Sequence, residues 1–177
     1  MTKTFLGVLM GAFLTLALMF LTAFVVVKFG IIPANADGTH SSLEVRIMSA
    51  ARRASVARHA TAEKNPLPLN EENLKAGLTT YRQMCARCHA TPGSEPSVYG
   101  QAFYPTAPQL SAEMARYTDA QLFWITKHGI RNTGMPAWGS MLSDDEMWQV
   151  VSVIKNLQNL PPAVEVEWDA PKKKTAQ

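Results

Sequence analysis

An apolar run near the amino terminus constrains this chain more than any other feature. It extends from Phe5 to Val27 without a charged side chain, and Lys3 and Lys28 bound it. A segment inside a bilayer must satisfy its backbone amides internally, so the run must be helical. At about 1.5 Å per residue it reaches roughly 34 Å, enough to cross a hydrocarbon core. We therefore expect a transmembrane anchor over residues 1–33.

A cleaved signal peptide is the alternative interpretation of this run. Ala34-Asn35-Ala36 has the small-x-small pattern of a cleavage site, so cleavage after Ala36 stays open. The apolar core of a signal peptide is usually about 7–15 residues long, which is shorter than this run and favours a retained anchor. Basic residues flank the run on both sides, so the charge distribution leaves its orientation undecided.

Residues 34–65 are predicted to form a linker that contains a helix over 42–60. Ser41 and Glu44 fit a capping box. We interpret the segment as an amphipathic helix close to the membrane surface, with a solvated linker helix as the equal alternative. Asn65-Pro66-Leu67-Pro68 disfavours further helix and predicts a domain boundary. The apolar residues near one face of the helix are Leu43, Ile47, Ala50, Ala54 and Ala57.

The excess of basic charge lies before that boundary. Residues 1–65 contain seven Lys or Arg and three Asp or Glu, whereas residues 66–177 contain ten and eleven. A basic helix in the linker suits anionic lipid or an acidic subunit. The larger part has no basic patch interleaved with aromatic residues, so we expect no nucleic-acid partner. Two cysteines are too few for a disulfide-rich scaffold.

The strongest chemical motif of the chain is Cys85-Ala86-Arg87-Cys88-His89. Two thiols three residues apart on a helical turn can reach the two vinyl groups of one haem, and the following histidine is then held as an axial ligand of the iron. A thioredoxin-like dithiol would need a βαβ context, and a zinc site would need a second ligand pair; the sequence offers neither. We predict one covalently attached haem c.

The second axial ligand is expected in a loop well downstream. Met135 lies in such a context, because Gly134 removes side-chain bulk beside the haem and Pro136 prevents a continuing helix. His128 is an alternative iron ligand, although we interpret it as an ordinary residue in the last turn of a helix, where the helix dipole favours it. The other methionine candidates are Met141 and, more weakly, Met84 and Met114.

Three further helices are predicted around these motifs, and the fold class is all-α. Asn70 caps a helix that runs to about Met84. Gly77 lies inside that helix at a cost of about 1 kcal/mol, which predicts a close crossing with another helix. The other two helices have capping boxes: Thr118 with Gln121 in a helix that stops at Gly129, and Ser143 with Glu146 in a helix that Pro161-Pro162 stops.

Residues 70–162 resemble a monohaem class I c-type cytochrome, here with an amino-terminal membrane anchor. The resemblance rests on residues 76–81, on the C-x-x-C-H motif, on residues 105–110 and on the methionine loop over residues 129–138. It implies a haem-wrapping domain over residues 66–162 and a polar tail over residues 163–177. By this likeness Cys85 and Cys88 bind haem c covalently, and His89 and Met135 are the axial iron ligands. Candidate contacts of the haem propionates are Arg131, Tyr99 and Tyr104.

The resemblance also implies where the protein works and what it does. Such domains receive haem on the outer side of the bacterial inner membrane, so the amino terminus would be cytoplasmic and the haem domain periplasmic. Iron with two protein ligands has no open position for a substrate, which predicts a single-electron carrier rather than an enzyme. The resemblance names no redox partner; the helical linker and the polar tail lead us to expect a subunit of a membrane respiratory or redox complex, such as a terminal oxidase or dehydrogenase. A tethered shuttle is the alternative, and a haem enzyme or gas sensor with a labile Met135 is the least favoured.

Overall fold

The computed structural model describes residues 2–32, 34–37, 41–91, 94–109, 114–157 and 159–164. These residues contain helices and no strand, which confirms the predicted all-α class. The chain divides into two compact units between residues 38 and 39. The sequence boundary at residue 65 therefore differs from the division that the structure makes.

The first unit is the long apolar helix α1, Thr2–Lys28. Within the described residues it is the one helix whose length and composition suit a membrane span. Its two central hydroxyls bond back to the helix itself, from Thr15 to the Gly11 carbonyl at 2.9 Å and from Thr22 to the Leu18 carbonyl at 2.8 Å. These bonds satisfy both polar side chains inside the apolar run.

The second unit contains six helices in the part of the chain that is described. They are α2 Ser42–His59, α3 Glu71–Thr80, α4 Ala86–His89, α5 Val98–Gln101, α6 Asp119–His128 and α7 Asp144–Lys155. A π-helical turn, Tyr81–Cys85, joins α3 to α4 directly, and single 3₁₀ turns occupy Met114–Arg116 and Trp138–Ser140.

The predicted helix starts are confirmed for α3, α6 and α7. The Asn70 side chain accepts a bond from the Asn73 amide at 2.9 Å, and reciprocal capping boxes begin α6 at Thr118 and α7 at Ser143. The predicted box at the start of α2 is wrong, because the Ser41 side chain makes no capping bond. These caps set where each helix begins and so fix the directions of the core helices.

The core is built on the crossing of α3 and α7. Gly77 permits this crossing, because a Cβ added there would lie 2.5 Å from the Gln149 carbonyl carbon in the α7 backbone. The close helix crossing predicted from Gly77 is thereby confirmed. The side chains that are essentially inaccessible at the centre are Leu78, Tyr81, Met147, Val150, Val151, Val153 and Val164.

The α2 helix packs against the domain that follows it, rather than standing apart as a linker. Val56 is buried with 2% of its surface exposed, and the His59 ring stacks on Trp124 of α6 with centroids 6.0 Å apart. Asn65 then donates to the Trp148 carbonyl at 3.1 Å and to the Ser152 hydroxyl at 2.7 Å, which fastens the connecting segment to α7. The proline-containing stretch is therefore a connecting segment within the unit.

The face of α2 that packs is not its most apolar face. Ser49, Arg52 and Val56 point inward, while Leu43 and Ile47 remain 63% and 56% exposed. The carboxyl-terminal boundary also differs from the prediction, because Val164 is completely buried in the core. The rest of the predicted polar tail, residues 165–177, lies outside the described residues.

Candidate haem site

A cavity of about 460 Å³ lies among α2, the α3–α4 segment, α6, α7 and the loop after α6. Both cysteines, His89 and Met135 line it, so the four residues singled out by the sequence meet in one place. The wall is otherwise mainly apolar and includes Phe103, Tyr117, Leu122, Ile125, Ile130, Trp138, Val150 and Ile154.

The two cysteines are presented at a change of helical geometry. Cys85 ends the π-helical turn and Cys88 lies one turn later in α4, and neither forms a disulfide. Burial, with a smaller effect from Cys88, raises the pKa of the Cys85 thiol to about 12. Because reactive dithiols have lowered pKa values, this environment disfavours a redox-active pair and leaves Cys85 as a neutral, cavity-facing thiol.

The His89 ring is held by the segment that crosses over it. Its Nδ1 lies 2.7 Å from the Pro108 carbonyl oxygen. A carbonyl only accepts, so Nδ1 carries the proton and donates, which leaves the Nε2 lone pair available to a metal. Pro105, Thr106 and Ala107 continue along the same cavity wall.

The chain around this histidine is fixed on both sides. The buried Tyr81 hydroxyl donates to the Ala90 carbonyl at 2.8 Å, and Ala90 adopts the positive φ of 57° that turns the chain away after α4. The Ser97 hydroxyl bonds to the Arg87 carbonyl, and Gly100 lies too close to the Cys88 carbonyl to carry a side chain. Contacts from residues outside the motif thus hold the C-x-x-C-H turn in place.

Met135 lies in a loop with its own internal bonds. The Ile130 amide donates to the Met135 carbonyl at 3.1 Å, and the Met135 amide donates to the Thr133 hydroxyl at 3.1 Å. Gly129, with φ of 64°, starts the loop where a Cβ would lie 2.6 Å from the Pro136 carbonyl carbon. A side chain at Gly134 would meet the Phe103 ring instead.

The other ligand candidates divide into two groups. Met84 and Met114 line the cavity, whereas Met141 is 58% exposed and does not. His128 is exposed in the last turn of α6, tilted against Trp124 with centroids 5.1 Å apart, and lies outside the cavity wall.

None of the three candidate propionate contacts lines the cavity. Arg131 is exposed, and the Tyr99 ring lies 4.4 Å beneath the Arg87 guanidinium. Partial desolvation and the nearby Glu44 carboxylate raise the pKa of Tyr104. The structure brings two polar side chains of α2 to the wall, Ser49 and Arg52. Sequence analysis missed them because it assigned α2 to the linker.

The contents of the cavity wall fit haem c. An apolar space is lined by two thiols, an imidazole with a free Nε2 and a thioether. These are the groups that a covalently held haem requires. Among the described residues no cluster of His, Cys, Asp and Glu forms an alternative metal site. Fold and site together define a c-type cytochrome domain. In the sequence it follows an apolar helix long enough to span a membrane.

Comparison with known proteins agrees with this class. Residues 72–152 match the family model described as cytochrome C oxidase, cbb3-type, subunit III. The domain is therefore a c-type cytochrome domain that carries covalently bound haem c and serves electron transport. The comparison with curated proteins gives no match.

Proposed function

We propose that Cys85 and Cys88 form the covalent bonds to the haem and that His89 and Met135 are its axial ligands. The observation that carries the proposal is the bond from His89 Nδ1 to the Pro108 carbonyl at 2.7 Å. It orients the ring and fixes the tautomer that a ligating histidine needs. The haem, when bound, supplies a one-electron change at iron. The chain would supply two iron ligands and an apolar wall, and with both ligands bound no coordination position would be left for a substrate, which favours a carrier over an enzyme.

The assignment of Met135 is tested by its spectroscopic signature. A thioether ligand gives oxidised haem a weak red absorption band, and its loss lowers the reduction potential. We expect Met135→Ala to abolish the band and lower the potential, because Met135 lines the cavity from a loop that its own backbone hydrogen bonds hold in place. Met141→Ala is the matched control, since Met141 is exposed and should leave both unchanged. The reverse result would reassign the ligand.

Covalent attachment has an independent test. The denatured protein should retain its haem, with a pyridine haemochrome of one haem per chain, because one C-x-x-C-H motif is present. Cys85→Ala should leave haem bound through a single thioether, and the double variant with Cys88→Ala should lose covalent haem altogether. Haem that extracts freely from the unaltered protein would contradict the proposal.

We further propose that α1 is a retained anchor, that the amino terminus is cytoplasmic and that the haem domain is periplasmic. The length of α1 supports a membrane span. Domains of the class that this one resembles receive haem on the outer side of the bacterial inner membrane, which supports a periplasmic haem domain. Intact-mass measurement of the native protein should give a chain that still contains α1. Added protease should digest the haem domain in spheroplasts and spare it in inside-out vesicles. A mature chain that begins at Asp37 would identify a signal peptide instead.

The proposed setting is a larger membrane redox complex, in which this chain is a subunit or a permanently docked carrier. Residues 66–160 contain seven basic and eight acidic side chains, so the domain has little net charge with which to steer a diffusing partner. The exposed Leu43 and Ile47 on α2 add an apolar surface suited to a stable contact. The family match, to a description that names an oxidase subunit, supports the same setting.

Two measurements separate this setting from an independent shuttle. The chain purified in mild detergent should bring further redox subunits with it. Electron transfer to its partner in native membranes should change little between about 20 and about 300 mM salt, because packed contacts are screened weakly. A fall of about tenfold or more would favour the tethered shuttle. Binding of carbon monoxide to the reduced protein would favour the gas-sensor alternative.

A further inference from the structure

Arg52 is a charged side chain in an otherwise uncharged cavity wall. It extends from α2, one turn before the buried Val56, and lines the same cavity as the C-x-x-C-H motif. Its Nε atom is buried and has no hydrogen-bond partner among the described residues. The described wall contains no Asp or Glu side chain that would balance its charge.

A buried, unpartnered guanidinium nitrogen requires an explanation. Burying a charged donor without a partner is strongly unfavourable, so such groups are paired in stable proteins. The guanidinium always carries its proton at physiological pH and binds carboxylates well because its donors form a planar fork. The two propionates are the carboxylates of haem c, and the cavity is where this haem would lie.

We propose that Arg52 binds a haem propionate, which makes α2 part of the haem site. The inference rests on the proposed placement of the haem in this cavity. Arg52 then takes the role that sequence analysis gave to Arg131, Tyr99 and Tyr104, none of which lines the wall. The segment that follows the membrane helix thus contacts the cofactor itself rather than only joining two parts of the chain.

The packing of α2 supports a fixed position for Arg52. Val56, one turn later on the same face, is 2% exposed, and His59 stacks on Trp124. The His59 ring is held in turn by its contact of 2.8 Å between Nδ1 and the Ser55 carbonyl. These contacts hold the helix backbone that carries Arg52, so only the side chain of Arg52 has to become ordered when it binds an anion.

The test compares two charge-removing variants of the full chain in detergent. Arg52→Gln and Arg53→Gln remove the same formal charge from adjacent positions of α2, but Arg53 is exposed. Reduction lowers the positive charge at iron, so a nearby cation favours the reduced state. We expect Arg52→Gln to shift the reduction equilibrium at least about tenfold toward oxidised haem, which is about 59 mV for one electron. Arg53→Gln should shift it less than about threefold.

Arg52→Lys should keep most of the potential because it keeps the charge. Equal shifts for Arg52→Gln and Arg53→Gln, or no shift for either, would overturn the inference. If these variants keep their covalent haem, such a result would contradict only the role of Arg52 and would not affect the proposed ligand set. Loss of covalent haem from the cysteine variants tests the ligand set separately.

A second measurement decides the matter if Arg52→Gln does not fold. In the reduced, unaltered protein, through-space nuclear Overhauser contacts should connect the propionate methylene protons with the Arg52 side chain. Their absence, with contacts from another basic side chain instead, would overturn the inference.

Discussion

Gly77→Ala tests the α3–α7 crossing on which the haem domain is built. The added Cβ would lie 2.5 Å from the Gln149 carbonyl carbon, about 0.9 Å short of the 3.4 Å at which ordinary contact begins. The neighbour is backbone inside α7, so no side-chain rotation relieves the clash and the two helices must separate. Overpacking of this kind costs about 3 kcal/mol at the upper end of its usual range. Alanine regains about 1 kcal/mol of helix propensity, which leaves a net loss of about 2 kcal/mol.

The assay is guanidinium unfolding of the full chain in mild detergent, followed by tryptophan fluorescence. All four tryptophans lie beyond residue 120, so the signal reports the haem domain and not α1. The matched control is the pair Thr79→Ala and Thr79→Gly at an exposed position of the same helix. There alanine should be more stable than glycine by about 1 kcal/mol. If Gly77→Ala behaves like this pair and stabilises the domain, the close crossing is refuted.

Three further predictions concern the helix ends and the turn behind His89. Thr118→Ala should lower the free energy of unfolding by about 1 kcal/mol, because it removes the side-chain bond to the Gln121 amide, and chemical denaturation measures the loss. Bonds from Ser143 lower the pKa of Glu146 in the folded chain. The carboxylate therefore stabilises α7 fully at pH values above its unfolded-state pKa, and this stabilisation is lost as the pH falls through its folded-state pKa. Glu146→Gln should therefore be less stable than the unaltered chain at neutral pH and equal to it in acid; a difference independent of pH would contradict the reasoning. Tyr81→Phe should cost about 1–2 kcal/mol, because the buried Ala90 carbonyl loses its donor, and an unchanged unfolding midpoint would show that the bond contributes nothing.

The features that the sequence predicts correctly are those encoded within one turn of helix. The capping boxes at Thr118 and Ser143 follow from residue types three positions apart, and the crossing at Gly77 follows from a costly glycine that packing must offset. The C-x-x-C-H motif indicates haem because its spacing lets two thiols reach the two vinyl groups of one haem and places a histidine beside the iron. Each of these signals is local, so no knowledge of the tertiary structure is needed to use it.

The position of α2 is not encoded in that way. Its packed face contains Ser49 and Arg52, which a hydrophobic pattern assigns to solvent, while the apolar Leu43 and Ile47 remain exposed. Only the cavity explains why a polar face turns inward, and the cavity is made by residues far along the chain. The π-helical turn at Tyr81–Cys85 is equally hidden, because its wider turn has no residue signature.

If α1 is the retained anchor proposed above, the packing of α2 on the domain limits the length of chain between the anchor and the haem domain. If residues 29–65 formed a free linker around a rigid α2, their extended length would be roughly 100 Å. With α2 packed through Val56 and the following segment held by Asn65, only residues 29–41 separate α1 from the haem domain. That segment spans at most about 45 Å. Since effective concentration at a neighbouring site falls steeply with the length of the connection, the shorter segment would favour the proposed setting of one resident partner over exchange among distant ones.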